Sequence, residues 1–346
     1  MKKIFIGIDF SKEKFDATVI KAEGVEERAE RQHEVFDNKV SGFRCLLRWM
    51  RAVVDEQDTS LWLFCGENTG GYSRALCNYL YGSGYDMWLE NALSIKRSSA
   101  LQRTKSDKAD AGIIAEYAMR NYDQMRLYKP LGKNLERLRE LFLYRHNLVK
   151  LKASMMTRKG EKKLTQEKSD ISRFMSMSSK HLISEFNKKI AECDRRIDLV
   201  IAEDDELRRN FEVITSVPGV GTQNAVCLMV YTDNFTRFDY NSRKIACYYG
   251  VAPFGRQSGT SVNTPPHVCP MANKLIKSLL SQAALASVNF CPPMAAYYHR
   301  LVESGKKKPV AINNVKNKLL HVITAMVRKG EKYNPDHDYY AALLSA

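Results

Sequence analysis

Through the first ninety residues, apolar runs alternate with polar turns. Ile4 to Phe10 is an apolar run interrupted near its end by Asp9, and Phe15 to Lys21 has strand character, with the polar stretch SKEK as a tight turn between them. His33 to Phe36 adds a third strand. From Val40 to Val54 the period changes, and Phe43, Leu46, Leu47, Met50 and Val54 fall on one helical face. Leu61 to Cys65 predicts a buried strand running into Gly66-Glu67. A helix over Tyr72 to Tyr81 and a strand over Tyr85 to Leu89 follow. Three strands, helix, strand, helix, strand is the order of a mixed α/β sheet with helices packed on it. Basic, polar residues from Lys96 to Lys108 then lead into a helix from about Lys108 to Arg120.

Pro130 and Gly132 mark a boundary. Beyond it Leu135, Leu138, Leu141, Leu148 and Leu151 recur at helical spacing, as do Leu182, Phe186, Ile190, Cys193 and Ile197. The lysine-rich stretch Arg158 to Asp170 separates the two sets. This predicts two long helices folded into a hairpin, either as a plain spacer or as a coiled coil that pairs between subunits. From Phe211 the pattern is helical again. ITSVPGVGTQNAVCLMV reads as helix, Pro-Gly-Val-Gly turn, helix, and further helices are expected at Ser242 to Tyr249, Met271 to Val288 and Val310 to Lys329. The glycines, prolines and hydroxyls of Gly250 to Pro266 predict a loop. The expected fold class is thus α/β plus all-α, with domains over 1–129, 130–208 and 209–346.

A chain of 346 residues suits two or three domains. The net charge of +15 suits a polyanionic partner, although a solvated basic surface would carry the same excess. None of the eight cysteines forms a CxxC pair, and several sit in apolar runs. They read as small buried hydrophobes of a reducing cytosol rather than a disulfide or zinc framework. With no signal-peptide pattern and no run of membrane-spanning length, the expected location is the cytoplasm.

Four acids stand out. Asp9 closes a strand in GIDFSK, and Glu67 follows another in FCGENTGG. Asp107 and Asp110 lie three apart in KSDKADAG, which places both on one face of a helix. Each alone also has a plain reading: a turn residue, an N-cap, a first-turn acid. Four carboxylates meeting at one point would repel each other, and divalent cations resolve this. Mg²⁺ prefers such oxygen ligands, and two ions about 3.5–4 Å apart can clamp a phosphoryl displacement. Lys96, Arg97, Arg103, Lys105 and Lys108 flank the acids and suit a phosphodiester. Asp16, in FDATV, reads as a strand-face residue.

The second constellation is YYGVAPFGRQSGTSV. Ser258 precedes a glycine and follows Arg256 by two residues. A serine hydroxyl needs positioning and activation to act as a nucleophile. From the residues alone, Ser258 reads as a loop serine with a local hydrogen bond. Ser261 is a weaker rival. The PGVG turn, Pro218 to Gly221, reads equally as an ordinary helix–helix turn or as one that presents backbone N–H groups to a phosphate. His146, His267 and His321 have no metal-ligand spacing.

Taken together, FIGIDF, GENTGGY, TKSDKADAGIIAEY, SVPGVGTQNA, YYGVAPFGRQSGTS and ANKLIKSLL resemble, in this order and over nearly the whole chain, a family of bacterial insertion-sequence transposases. These carry an N-terminal DEDD domain, RuvC-like with a ribonuclease-H-type fold, and a C-terminal serine transposase domain. Piv-type invertases and bridge-RNA-guided recombinases belong to it. The resemblance implies that Asp9, Glu67, Asp107 and Asp110 hold Mg²⁺ or Mn²⁺. It implies that Ser258 attacks DNA and forms a 5′-phosphoserine link, and that the protein acts as a homo-oligomer. A structured non-coding guide RNA is a further implied partner, besides donor and target DNA. One departure is VNTPPHVCP after the serine motif, where the family is basic and glycine-containing; Lys274 and Lys277 keep positive charge at the next helix. The expected function is RNA-guided DNA strand exchange. A metal-dependent junction nuclease and an RNA-independent invertase are the alternatives.

Overall fold

The computed structural model describes residues 4–21, 31–68, 70–98, 107–165, 169–258, 262–268 and 272–335. At 107–108, 158–165, 256–258 and 262–265 the description is of the backbone alone. The chain divides into two compact units, Met1–Pro130 and Leu131–Ala346.

The first unit is built on a five-stranded sheet. Its strands are β1 (Ile4–Phe10), β2 (Lys14–Lys21), β3 (Arg31–Asp37), β4 (Trp62–Glu67) and β5 (Met87–Glu90), in the order β3-β2-β1-β4-β5. β1–β2 and β2–β3 are antiparallel; β1–β4 and β4–β5 are parallel. The parallel pairs need crossovers, and helices supply them. They are α1 (Val40–Val53) and α2 (Gly71–Gly82), followed by α3 (Ala92–Ser98) and α4 (Asp107–Arg120).

Alternation along the strands sorts the core into two layers. Ile4, Ile6 and Ile8 of β1 and Trp62 and Phe64 of β4 join Phe43, Leu46 and Met50 of α1 and Leu76, Cys77 and Leu80 of α2. On the other face Phe5, Leu63, Cys65 and Trp88 meet Ile95, Ile114 and Ala118. The five-stranded sheet, with helices on both faces, is the mixed α/β arrangement that the sequence predicts. The short helix α3 was not foreseen: only Ile95 is buried, and a single apolar anchor leaves no periodic signal.

The second unit is helical apart from one hairpin. Its helices are α5 (Lys133–Thr165), α6 (Asp170–Ala202), α7 (Asp205–Thr215), α8 (Thr222–Tyr231), α9 (Ser242–Tyr248), α10 (Lys274–Phe290), α11 (Pro292–Glu303) and α12 (Lys308–Lys329). The first two are antiparallel: Arg137 pairs with Glu203, and Arg145 pairs with Asp194. The residues near their common base, Leu135, Leu138, Phe142, Ile197 and Val200, belong to one core with α7–α12. Farther along, Leu151 and Leu182 of the predicted apolar stripes are exposed. α8 is buried on every side from Ala225 to Val230 and forms the centre of this core. Pro292 and Pro293 open α11, where a missing N–H costs nothing.

The turn between α7 and α8 is packed against α10. Gly219 has φ +90°, a Cβ there would lie 2.4 Å from Ser287 N, and Ser287 Oγ donates to Pro218 O at 2.9 Å. Gly219 is therefore needed for packing.

The stretch Gly250 to Pro266 is not a plain loop. β6 (Pro253–Ser258) and β7 (Val262–Val268) form an antiparallel hairpin. Its register runs Phe254–His267, then Arg256–Thr264, so Pro265 and Pro266 occupy a bulge opposite Gly255. A bulge is one of the few places in a ladder where prolines cost no hydrogen bond. The hairpin escaped the sequence pattern because Pro253, Phe254, Gly255, Pro266 and His267 are exposed, so its base shows no alternation of buried and exposed positions.

Cys65, Cys77, Cys193, Cys227 and Cys291 are buried, but Cys45 and Cys247 are exposed, which corrects the reading of the cysteines as interior residues. Among the described residues no helix is long and apolar enough to cross a membrane.

Candidate active site

The geometry starts from Gly7. A Cβ at this position would lie 2.1 Å from Ala111 O and 2.3 Å from Ala115 N, so α4 lies directly on the bare backbone of β1. Phe5, two residues earlier, clusters with Ile114 and Ala118. Moving up β1 therefore means moving down α4 towards its N-terminus. Asp9, two residues beyond Gly7, shares that face and stands at the level of the first turn of α4. That turn carries Asp110, which is half-buried, and begins at Asp107, whose side chain lies outside the described residues.

Glu67 reaches the same face by the same rule. Leu63 and Cys65 of β4 pack on the α4 side, and Glu67 is the next residue in that series. β1 and β4 are parallel neighbours with Ile8 opposite Gly66, so Asp9 and Glu67 are one step beyond the last paired residues of two adjacent strands. Both are half-buried. Parallel strands lie roughly 4.8 Å apart.

The row extends in both directions. Asp16 pairs with Asp9 in register, is 6 % exposed, and is hydrogen-bonded through Oδ1 to His33 Nε2 at 2.9 Å. On the other side Glu90 pairs with Glu67. Its carboxylate accepts from Asn91 N at 2.7 Å, and the Tyr117 phenol of α4 lies within its field. Burial, with the Glu90 charge second, holds the Tyr117 phenol above its ordinary range. Glu90 is the member of this row that sequence reasoning missed. MWLE carries the signal, an apolar strand closed by an acid as in FIGID and LFCGE, but the predicted strand stopped at Leu89.

Among the described residues no three histidine, cysteine, aspartate or glutamate side chains stand close enough to hold a metal ion. The acids on this face, Asp9, Glu67 and Asp110, would offer a metal carboxylate oxygens. Hard oxygen ligands of this kind fit Mg²⁺ or Mn²⁺.

The flanking cations fare differently. Arg97 is exposed in the last turn of α3, next to Lys96, and Lys108 lies in the first turn of α4 with its side chain undescribed. Arg103 and Lys105 lie outside the described residues. In the second unit Ser258 is the last residue of β6, opposite Val262, and Arg256 is two residues before it, opposite Thr264. The backbone positions of Ser258 and Arg256 are described, their side chains are not; Ser261 is outside. Lys274 is exposed at the start of α10 and Lys277 is half-buried one turn later.

Comparison with known proteins places both units. A transposase family model of the IS110 DEDD type matches residues 6–166, and a second, described as Transposase IS116/IS110/IS902 family, matches residues 211–299. Between them they cover well over half of the chain, in order. The chain is also similar to two proteins named pilin gene-inverting protein, from Moraxella bovis and Moraxella lacunata. Each is 26 % identical over 337 residues, which is 96 % of this chain and 98 % of the relative. A shorter match, 33 % identical over 121 residues, joins it to an insertion element IS110 protein of Streptomyces coelicolor, covering 35 % of this chain and 29 % of that one.

A mixed sheet with strand-end carboxylates, followed by a helical unit, is thus the frame of a transposase-type DNA recombinase. The chain belongs to the IS116/IS110/IS902 transposase family.

Proposed function

We propose that this protein cuts and rejoins DNA strands of a mobile element through two sets of residues, carboxylates of the first unit and Ser258 of the second. The observation that carries the reading is the shared face of Asp9, Glu67 and the first turn of α4, on a sheet whose β1 strand gives up a side chain at Gly7 to let that helix approach. Asp9, Glu67, Asp107 and Asp110 would hold one or two divalent cations, Mg²⁺ or Mn²⁺. When bound, such an ion polarises the phosphoryl oxygen and offsets developing negative charge.

The Ser258 Oγ then forms a bond to the scissile phosphorus and gives up its proton. The bond from phosphorus to the 3′-oxygen breaks, and that oxygen leaves as a 3′-hydroxyl. The 5′-phosphate stays on Ser258, which conserves the phosphodiester energy for rejoining. Arg256, two residues before Ser258 in the sequence, is of the residue type that holds a phosphate by charge-assisted hydrogen bonds. Arg97, Arg103, Lys105, Lys108, Lys274 and Lys277 supply backbone contacts that track charge rather than sequence.

The protein works in the cytoplasm as a homo-oligomer. The outer part of the α5–α6 arm supports this: Leu151, Met156, Ile171, Phe174 and Met177 are all more than half exposed. Apolar side chains grouped on one arm mark an interaction surface. The division of labour expected is a RuvC-like domain, a helical spacer and a serine transposase domain over 1–129, 130–208 and 209–346.

Sequence readout by a guide RNA rests on the family resemblance alone. The near full-length likeness to proteins named pilin gene-inverting protein favours a second reading, a site-specific invertase. RNA that co-purifies with the protein and pairs with its own element supports the first; an RNA-free protein that recombines DNA supports the second. The metal site is tested by Asp9→Asn and Glu67→Gln, which should each abolish Mg²⁺-dependent strand cleavage while leaving DNA binding in place. Cleavage at the wild-type rate in either variant would remove the carboxylate assignment.

A further inference from the structure

We propose that Lys277 and Lys316, on facing helices beside the root of the Ser258 hairpin, form a clamp for one phosphate of the DNA strand on which the hairpin acts. The inference rests on the recombinase reading and deepens it by naming where the second unit grips its substrate.

α10 and α12 meet through an apolar seam that includes Ile276, Leu280, Val315 and Leu319. Lys277 follows Ile276 and Lys316 follows Val315, so each lysine is next to a buried seam position, one on each side. Both are half-buried. Among the described residues neither has a carboxylate within ion-pair distance. The Lys316 ammonium lies below its ordinary range, through burial first and the charge of Lys277 second. Two like charges held at the edge of an apolar seam destabilise each other. That arrangement persists at a cost to the fold, and an anion between the two would offset it.

The position of the pair points to the anion. Asn313, one turn before Lys316 on the same face of α12, donates from Nδ2 to Val251 O at 2.9 Å. Val251 precedes β6 by two residues, and on the other side of the hairpin β7 ends six residues before Lys274. The clamp is thus tied to the base of the ribbon that carries Ser258. A phosphodiester has two non-bridging oxygens, and two ammonium groups can share them in charge-assisted hydrogen bonds.

The test is the salt dependence of binding to a fluorescent DNA duplex of mixed sequence, measured without divalent cations for the full chain and for Lys277→Gln, Lys316→Gln and the double variant. Neutralising one phosphate contact lowers the slope of log Kobs against log salt by about 1. Because one phosphate is shared, the lysine left in each single variant still neutralises it and keeps the slope close to the wild-type value, whereas the double variant should show a fall of about 1. Lys188→Gln, which removes a lysine already paired with Glu185, should leave the slope unchanged. Lys316→Gln should also keep or raise the Tm, since it relieves the repulsion; Lys316→Met is the substitute if the first variant does not fold. An unchanged slope in the double variant overturns the clamp, and so does a fall of about 2, which would mean two separate contacts. Weakened binding to single-stranded RNA with unaltered DNA binding overturns the assignment to DNA. A wild-type protein that binds no DNA sinks the recombinase reading itself.

Discussion

At the scale of single residues, the first unit depends on an absence. Gly7 has no side chain where any other residue would collide with Ala111 O and Ala115 N. The close approach of α4 aligns its first turn with Asp9. Gly7→Ala should therefore lose stability by about 1–3 kcal/mol, the range for forcing a methyl into a filled interior. It should also lose metal-dependent cleavage out of proportion, because α4 must move. Thermal melting and a cleavage assay at a temperature where the variant is folded separate the two effects; full cleavage by the folded variant would contradict the role given to this contact. Asp9 and Glu67 were legible in the sequence because each ends an apolar run long enough to announce a buried strand. Glu90 ends a run of three and was passed over. Asp16 was visible as a strand-face residue, but its burial and its bond to His33 come from a third strand that is mostly polar.

At the scale of elements, α12 holds the second unit together and contains a pH-sensitive group. His321 Nδ1 is hydrogen-bonded to Ser242 Oγ at 3.0 Å, tying α12 to the start of α9. Burial first, then the charges of Lys318 and Arg243, push the His321 imidazole below its ordinary range. The unfolded chain then binds a proton more readily than the folded one. Stability from this group is complete above about pH 6.5, the value for a free histidine, and is lost as pH falls through the folded value. His146, also lowered through burial and then Lys150 and Arg145, acts in the same direction. The Tm should fall between neutral pH and pH values below 6, and His321→Gln should flatten part of that fall; a variant with an unaltered pH profile would contradict the argument. The long helices were legible because their stripes are periodic. The β6–β7 ribbon was not, since Pro253, Phe254, Pro266 and His267 at its base are exposed and Pro265 and Pro266, which signal a break, sit in a bulge. Ser258 was visible only through likeness to a family, because a hydroxyl at the end of a short strand has no sequence pattern of its own.

At the scale of the whole molecule, the outer α5–α6 arm and the two sets of candidate catalytic residues carry the account. Ile171, Phe174 and Met177, about 70 % exposed at three-residue spacing, are expected to pair with a second copy of the chain. Sedimentation velocity should show an oligomer for the wild type and smaller species for the triple serine variant with unchanged helicity; a monomeric wild type would contradict this. The recombinase mechanism itself is tested most directly by a covalent adduct. DNA labelled at its 3′ end and incubated with Mg²⁺ and the protein should yield, on a denaturing gel, a slow species that protease converts to free DNA. Ser258→Ala and Asp9→Asn should yield none. Strand cleavage at the wild-type rate by Ser258→Ala, with no adduct from either protein, would show that water rather than Ser258 attacks the DNA and would contradict the account.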